Sequence, residues 1–100
     1  MPRTFKLKVP DHVARLVRGL HPVLKARVKK SLGIILDDPT VGKALRDELQ
    51  GLRSFRVGRF RIVYRLAKSE KRIDIVAVGP RKKIYLETYR LVKKEERSDS

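Results

Sequence analysis

The apolar residues of this chain follow two different periods in its two halves. In the first half, Leu24, Val28 and Leu32 begin a stripe with the spacing of one helix face. In the second half, apolar and polar residues alternate over residues 60–66, which is the period of a strand with one buried face. The chain is therefore predicted to be an α+β protein, because neither period alone accounts for it.

Turn and capping residues delimit the elements of the first half. A short strand is predicted over Phe5–Val9, where apolar and basic residues alternate. A helix follows over residues 11–19, between a capping aspartate and a terminating glycine. A second helix starts at Pro22, a residue that suits a first helical turn, and ends at the Asp-Asp-Pro sequence of residues 37–39. Together these two segments predict a helical hairpin with one apolar face.

The second half is predicted to be a meander of antiparallel strands followed by a helix. The strands are assigned to residues 54–57, 60–66 and 72–78. Residues 40–51 are predicted as a short helical turn or an irregular connection, helical spacing resumes from Arg81, and a polar tail starts at about residue 93. The predicted order is β-α-α-β-β-β-α, with the helical hairpin packed on a small antiparallel sheet.

Charge narrows the classes of partner. Lysine and arginine number 26 against 11 acidic residues, which gives a net charge of +15. This excess favours a polyanion such as nucleic acid, an anionic membrane surface or an acidic protein, since solubility needs a net charge of only about 2–8. Residues 52–65 contain five arginines and no acid. The planar fork of arginine matches phosphate oxygens better than lysine does, so this segment favours a phosphate-rich partner.

Length and residue types exclude several other classes. One hundred residues suffice for a single domain, predicted over residues 1–100. Without cysteine there is no disulfide or thiolate chemistry, and two distant histidines with scattered acids make no zinc site, so neither metal nor cofactor is predicted. No segment has the roughly 18 consecutive apolar residues of a membrane helix, and the N-terminus has no secretory pattern. The protein is expected to be soluble and cytoplasmic.

Two segments resemble the central signature of the RelE/ParE superfamily of toxins. Members commonly carry G-x-[YF]-R-[VIL]-[VI]-Y, then a hairpin, then V-G-x-R-x-x-[VI]-Y. This sequence has GRFRIVY at residues 58–64 and VGPRKKIY at residues 78–85. The helical hairpin and the chain length also fit, so the resemblance covers nearly the whole chain. It identifies the superfamily more specifically than the activity, because the RelE-like and ParE-like branches share the pattern.

The resemblance implies two alternative functions. RelE-like members are metal-independent endoribonucleases that cut mRNA in the ribosomal A site and thereby inhibit translation. ParE-like members inhibit DNA gyrase and have no nuclease chemistry. Both types are held inactive by an antitoxin encoded beside them, which is expected here to be acidic and partly disordered when free. The basic and aromatic positions kept in this sequence favour the ribonuclease branch. The third hypothesis for the function is a catalytically degenerate, basic RNA-binding domain.

Metal-free RNA cleavage requires cations that stabilise a pentacoordinate phosphorane and groups that move protons. By resemblance, Arg61 supplies a transition-state cation, and Arg81, which matches the arginine of V-G-x-R, either acts in catalysis or simply binds phosphate. Tyr85 stacks on a base or takes part in proton transfer. The alternative roles are an exposed strand arginine for Arg61, a helix-start residue for Arg81 and an aromatic packing residue for Tyr85.

Further basic residues are predicted to bind RNA or its phosphates: Arg53, Arg56, Arg59, Lys82 and Lys83. Ribonuclease members often carry lysine or arginine on the approach to the Arg61 strand, and lysine is the usual residue at one position there. If Arg53 or Arg56 fills that position, charge stabilisation survives but proton abstraction is in doubt, since arginine stays protonated. Pro80 stands where many relatives have histidine, so the general acid and base are left unassigned.

Arg65 is predicted to have a structural role. If the hairpin pairs Leu66 with Ile73, Arg65 lies opposite Asp74 and can form a cross-strand ion pair with it. Arg65 is therefore left out of the predicted site, although it directly follows Tyr64 of the signature strand.

Overall fold

The computed structural model describes residues 4–99, with side chains described through residue 95. The strands in this range are β1 (Lys6–Lys8), β2 (Lys43–Ala44), β3 (Leu52–Val57), β4 (Phe60–Ala67) and β5 (Arg72–Pro80). The helices are α1 (Asp11–Arg18), α2 (Pro22–Asp37) and α3 (Ile84–Asp99), with a 3-10 turn at Asp47–Leu49. The predicted α+β class and element order are confirmed. No helix among residues 4–99 is both long and apolar enough to cross a membrane.

The five strands form one mixed sheet in the order β1-β5-β4-β3-β2. Strands β3, β4 and β5 make the predicted antiparallel meander, and β2 pairs antiparallel with β3. Strand β1 pairs parallel with β5, with Leu7 beside Ile73. A parallel pair requires a long crossover, and the helical hairpin is the first part of the chain that connects β1 to β5. The first signature segment lies mainly on the central strand β4, and the second begins at the end of the neighbouring strand β5 and continues into α3.

Helices cover both faces of the sheet. The face under α1 and α2 carries Ile62 and Tyr64, which pack with Val28 and Ile35 of the hairpin. We call the opposite face, which carries Leu52, Val63 and Ala77 under Ile84, the α3 face. The alternation predicted along β4 is confirmed, because Ile62 and Tyr64 face the hairpin while Val63 faces α3.

A register shift interrupts the β4–β5 pairing. Val63 pairs with Ala77 and Tyr64 pairs with Ile75, so Val76 is the extra residue of a bulge. His12 of α1 contacts the carbonyl of Val76 through Nε2 at 3.2 Å, which ties the start of the helical hairpin to the bulge.

Beyond the bulge the predicted register is confirmed, with Leu66 beside Ile73 and Arg65 beside Asp74. In place of the predicted ion pair between Arg65 and Asp74, the structure has an ion pair between Arg72 and Asp74. Arg72 donates to Asp74 from Nε at 2.6 Å and from Nη2 at 3.2 Å, because it lies two residues away on the same side of β5. The hydrogen bond from Arg72 holds the pKa of Asp74 below its usual value. Arg65 instead forms an ion pair with Glu95 of α3, in which its Nη2 atom lies 3.8 Å from the Glu95 Oε2 atom.

The segment between α2 and β3 is fixed to the sheet by two side chains. The buried Tyr64 hydroxyl donates to the carbonyl of Pro39 at 2.7 Å and accepts from the amide of Gly42 at 2.9 Å. Arg53 donates from Nη1 to the carbonyls of Gly42 at 2.8 Å and Thr40 at 3.2 Å. Gly42 is required by this approach, since a Cβ there would lie 2.6 Å from the Tyr64 hydroxyl. Burial raises the pKa of Tyr64.

Helix α3 begins three residues after the predicted start. Arg81, Lys82 and Lys83 form a turn before Ile84, and the amide of Arg81 donates to the carbonyl of Arg59 at 2.8 Å. The helix continues through Asp99, so the segment predicted as a polar tail from about residue 93 is helical as far as it is described.

Candidate functional site

Arg61, Ser54 and Tyr85 form a polar cluster on the α3 face. They come from β4, β3 and the first turn of α3 respectively. Arg61 donates from Nη1 to the Ser54 hydroxyl at 3.3 Å, and the Tyr85 hydroxyl lies 3.4 Å from the same oxygen. The guanidinium carbon of Arg61 is 5.9 Å from the centroid of the Tyr85 ring, which is within the range of a cation–π contact. Two residues predicted to be catalytic are thus neighbours in the structure.

Strand alternation and a small residue create this cluster. Ser54 and Arg56 are two residues apart on β3 and therefore share the α3 face, where Arg56 pairs directly with Arg61. On the other side Arg61 pairs with Gly79 of β5. A Cβ at Gly79 would lie 3.2 Å from Ile84 Cδ1, so the glycine allows the first turn of α3 to pack closely beside Arg61. That packing brings Tyr85 over the strand.

Arg61 and Tyr85 line a depression of about 510 Å³. The opposite wall is the segment of β2 and the 3-10 turn, contributed by Lys43, Ala44, Leu45, Arg46, Asp47 and Leu49. Leu45 and Leu49 pack against the core under α3, which supports the wall from below. The depression presents an aromatic ring beside an arginine, so a nucleobase can stack on the ring while a phosphate meets the guanidinium.

A second, more cationic groove of about 500 Å³ lies between the β3–β4 turn and the β5–α3 turn. We call it the basic groove, and it is lined by Arg56, Gly58, Arg59, Pro80, Arg81, Lys82 and Lys83. Its lining has no acidic side chain, and Arg81, Lys82 and Lys83 are exposed. Since Arg56 lines this groove and also pairs with Arg61, the groove and the depression are adjacent. A chain of phosphates can follow the groove toward Arg61.

The structure thus separates the predicted site residues into three places. Arg61 and Tyr85 lie together in the depression. Arg81 lies in the basic groove, together with four of the five residues that were predicted to bind phosphate: Arg56, Arg59, Lys82 and Lys83. The fifth residue, Arg53, lies elsewhere. It pairs with Tyr64 across the strands and, like Tyr64, is on the face of the sheet under the helical hairpin. Its guanidinium is committed to the carbonyls of Thr40 and Gly42. Arg53 therefore supports the wall of the depression from the opposite side of the sheet.

Three residues of this region were not predicted from the sequence: Ser54, Lys43 and Arg46. The alternation of β3 could have identified Ser54, because it is two residues from Arg56 on the face of Arg61. Lys43 and Arg46 lie in a segment without a regular period, and only the fold brings them to the depression. Among the side chains of residues 4–95, no three His, Asp or Glu residues are grouped as metal ligands.

The chain is similar to several known toxins. A family model described as the ParE toxin of the type II toxin-antitoxin system parDE matches residues 12–85. Toxin RelE from Mycobacterium tuberculosis is 34% identical, over 76% of this chain and 87% of that protein. The toxin-antitoxin complex RelBE2 from the same organism contains a chain that superposes with a TM-score of 0.70 at 30% identity, covering 78% of this chain and 99% of that one. A variant of Escherichia coli toxin RelE in the free state, at 19% identity, has a TM-score of 0.74 over 92% of this chain and 97% of that chain, which supports the fold.

Proposed function

Because the chain belongs to the RelE/ParE superfamily of toxins of type II toxin-antitoxin systems, we propose that it is a metal-independent, ribosome-dependent endoribonuclease. In this proposal it cuts mRNA in the cytoplasm and so inhibits translation. The observation that carries the proposal is the pairing of Arg61 with Tyr85, 5.9 Å from guanidinium carbon to ring centroid, at the end of the basic groove. A cation and an aromatic ring at the end of a phosphate track suit a reaction at one phosphate of an extended RNA.

The proposed reaction is attack by a ribose 2′-hydroxyl on the adjacent phosphate. The bond from the 2′-oxygen to phosphorus forms, the bond from phosphorus to the 5′-oxygen breaks, and a 2′,3′-cyclic phosphate and a 5′-hydroxyl result. Arg61 stabilises the negative charge that develops on the phosphorane, as fixed cationic donors do in other sites. Arg81 holds the adjacent phosphate in the basic groove, where it is exposed.

Two protons must move in this reaction, one from the 2′-hydroxyl and one to the 5′-oxygen. Tyr85 is the candidate nearest to Arg61, and its hydroxyl already lies in a hydrogen-bonding cluster. Lys82 and Lys83 are candidates from the basic groove. Pro80, which lines the same groove, offers no exchangeable proton, so the histidine of many relatives has no direct replacement there.

The proposed partner is a cognate antitoxin that is acidic and partly disordered when free. The supporting comparison is the M. tuberculosis toxin-antitoxin complex RelBE2, which contains a relative of this chain. In this chain, a net charge of +15 and the exposed cations of the basic groove favour such a partner. A segment that folds onto the groove would exclude mRNA from it.

Inhibition of DNA gyrase is the second candidate function. It is favoured by the match of residues 12–85 to the ParE toxin family model and by Pro80 at a position where many ribonuclease relatives carry histidine. A catalytically degenerate RNA-binding domain is the third. All three would use a basic surface, so the distinction requires a measurement of the product.

Brief induction of the toxin without its antitoxin separates these functions. Primer extension on abundant mRNAs is expected to reveal new 5′ ends inside translated regions, and these ends are expected to be absent with Arg61→Ala. The supercoiling of a reporter plasmid, measured in the same cells, reports on gyrase. Intact mRNA together with relaxed or gyrase-cleaved plasmid would favour the gyrase inhibitor, and intact mRNA with normal plasmid would favour the degenerate domain.

A further inference from the structure

Ser54 is a polar residue buried in a central strand. It is 2% exposed, and its direct partner across the strand pair, Val63, is fully buried. A hydroxyl in such a place costs free energy unless it is hydrogen-bonded, which is why interior strand positions usually carry apolar residues. The hydroxyl of Ser54 therefore indicates a specific hydrogen-bonding role.

The partners of the Ser54 hydroxyl are the two site residues. Its oxygen accepts from Arg61 Nη1 at 3.3 Å and lies 3.4 Å from the Tyr85 hydroxyl. A serine hydroxyl has one donor and two acceptor sites, so it can contact both groups at once. Both distances are at the long end of the hydrogen-bond range.

Arg61 depends on this hydroxyl for its placement. Among the described side chains, Ser54 is the hydrogen-bond acceptor of Arg61, whose other directional contact is the Tyr85 ring. The Nε atom of Arg61 is buried and has no acceptor within residues 4–95. Without Ser54, the guanidinium would retain only the contact with the ring, and a long side chain of this kind has many competing rotamers.

We propose that Ser54 is a positioning residue that holds the Arg61 guanidinium and the Tyr85 phenol in register for a phosphate. This inference rests on the proposed nuclease function for its kinetic consequence. The geometric part, that one buried hydroxyl orders both side chains, holds for any ligand of the depression. Ser54 touches neither RNA nor the reacting atoms in this proposal, because it lies beneath the two side chains that do.

Ser54→Ala removes only the hydroxyl and is expected to leave the fold intact. We expect the rate of mRNA cleavage at saturating ribosome concentration to fall about tenfold to a hundredfold, the effect of losing a hydrogen bond to a charged group. The ribosome concentration at half-maximal rate should change little, because the basic groove is untouched. Ser54→Cys keeps the position filled with a thiol, which is larger than the hydroxyl and accepts only weakly, so it should resemble Ser54→Ala if hydrogen bonding and not an empty space causes the loss.

A second buried serine provides the matched control. Ser31 in α2 is 7% exposed, and its hydroxyl donates to the carbonyl of Arg27 on the hairpin side of the sheet. Ser31→Ala is expected to leave cleavage unchanged. In an Arg61→Ala background, Ser54→Ala should cause no further loss, since residues that act through one another are not additive. A full additional loss in that background would contradict positioning through Arg61.

NMR of the purified protein tests the geometric part without any RNA. In Ser54→Ala, the ring resonances of Tyr85 and the guanidinium resonances of Arg61 are expected to shift and to show greater motion, while Ser31→Ala leaves both unchanged. Unchanged Arg61 and Tyr85 resonances in Ser54→Ala would overturn the proposal. If the native protein cuts no mRNA, the proposed function fails, and the NMR comparison still decides the role of Ser54.

Discussion

Arg61 differs from the other arginines of β4 and β5 in the groups that it contacts. Arg65 has Glu95 at 3.8 Å, and Arg72 is paired with both Asp74 and Glu70. Arg61 contacts the neutral Ser54 hydroxyl and an aromatic ring. Because these neutral contacts do not neutralise the guanidinium, its positive charge remains available to a phosphate.

Arg61→Ala is expected to lower the rate of mRNA cleavage about a hundredfold to a thousandfold, the usual effect of removing one transition-state donor. The fold should persist, since the residue is only partly buried at the edge of a depression. Arg61→Lys should recover part of the rate, because it keeps the charge and loses the planar fork. Cleavage by translating ribosomes in a cell-free system measures both.

The matched control for this variant is Arg65→Ala, on the same strand and the same face of the sheet. It should retain nearly full activity, because Arg65 is directed toward Glu95 at 3.8 Å and not into the depression. Equal losses in Arg61→Ala and Arg65→Ala would show that general charge, and not the placement of Arg61, governs the rate.

Asp74→Asn tests the ion pair between Arg72 and Asp74. The hydrogen bond from Arg72 lowers the pKa of Asp74 in the folded protein. The carboxylate therefore contributes stability above its unfolded pKa of about 3.9, and this contribution is lost as the pH falls through the lowered folded pKa. At pH 7 the variant should melt a few degrees below the native protein, and the difference should shrink under acidic conditions.

Thermal unfolding followed by circular dichroism between neutral and acidic pH measures this difference. Glu70→Gln is the control, since Glu70 also contacts Arg72, at 3.0 Å, but its side chain is 57% exposed. It should change the melting temperature less than Asp74→Asn does. A deficit in Asp74→Asn that stays constant down to low pH would contradict the role given to the ionised carboxylate.

Helices and strands whose apolar residues recur at a regular spacing could be predicted from the sequence, and elements without such a spacing could not. The period-two stripe of β4 and the helical stripe of α2 fixed the position of both elements, because burial of one face requires that spacing. Strand β2 has two residues and the 3-10 turn has three, which is too short for any period. Their placement depends on Tyr64 and Arg53, whose hydrogen bonds to the preceding segment are tertiary contacts.

The placement of the candidate site residues was predictable to the same extent. Arg61 and Tyr85 could be named because they lie in the family signature, and the alternation of β4 indicated the face of Arg61. The face of Arg53 could not be predicted, because no strong apolar pattern defines the register of β3, which turns this residue to the opposite side of the sheet. The partners of Arg61 depend on the pairing of β3 with β4 and on the packing of α3.

Tyr64→Phe tests the attachment of the segment between α2 and β3. It removes a hydroxyl that donates to Pro39 and accepts from Gly42, so the free energy of unfolding should fall by about 1–3 kcal/mol. Burial raises the pKa of Tyr64 in the folded state. The stability that depends on its neutral phenol is complete below an unfolded pKa of about 10 and is lost as the pH rises through the raised folded pKa.

The stability deficit of Tyr64→Phe should accordingly shrink above pH ~10. Denaturant unfolding at neutral and alkaline pH measures it. Tyr89→Phe is the control, because Tyr89 on α3 is 38% exposed, and it should have little effect at either pH. A stability for Tyr64→Phe equal to that of the native protein at pH 7 would mean that these two hydrogen bonds do not hold the segment.

On the scale of the whole molecule, one cluster of positive charge lies where the two signature segments meet. The β3–β4 turn and the β5–α3 turn contribute the cations of the basic groove, and the backbone hydrogen bond from Arg81 to Arg59 joins the two turns. The net charge of +15 is self-repulsive on a chain of this length. An acidic partner would relieve this repulsion and would be attracted to the groove.

The rate of association with the antitoxin is therefore expected to fall as ionic strength rises, because salt screens charges beyond a Debye length of about 10 Å at 0.1 M. Stopped-flow mixing at several salt concentrations measures the slope of this dependence, which is how steeply the association rate falls with ionic strength. Removing two groove charges with Lys82→Gln and Lys83→Gln should flatten the slope more than removing two from α2 with Lys29→Gln and Lys30→Gln. A rate that does not depend on salt would mean that the basic surface does not steer the antitoxin.

The chemical nature of the RNA ends tests the central claim most directly. Purified toxin is added to ribosomes that hold a defined mRNA, and the termini of the fragments are identified. The proposed attack by a 2′-hydroxyl predicts fragments with a 2′,3′-cyclic phosphate, or the 3′-phosphate formed from it, and a matching 5′-hydroxyl, produced by the native protein and lost with Arg61→Ala. Intact mRNA, or fragments with 5′-phosphate and 3′-hydroxyl ends, would contradict this account.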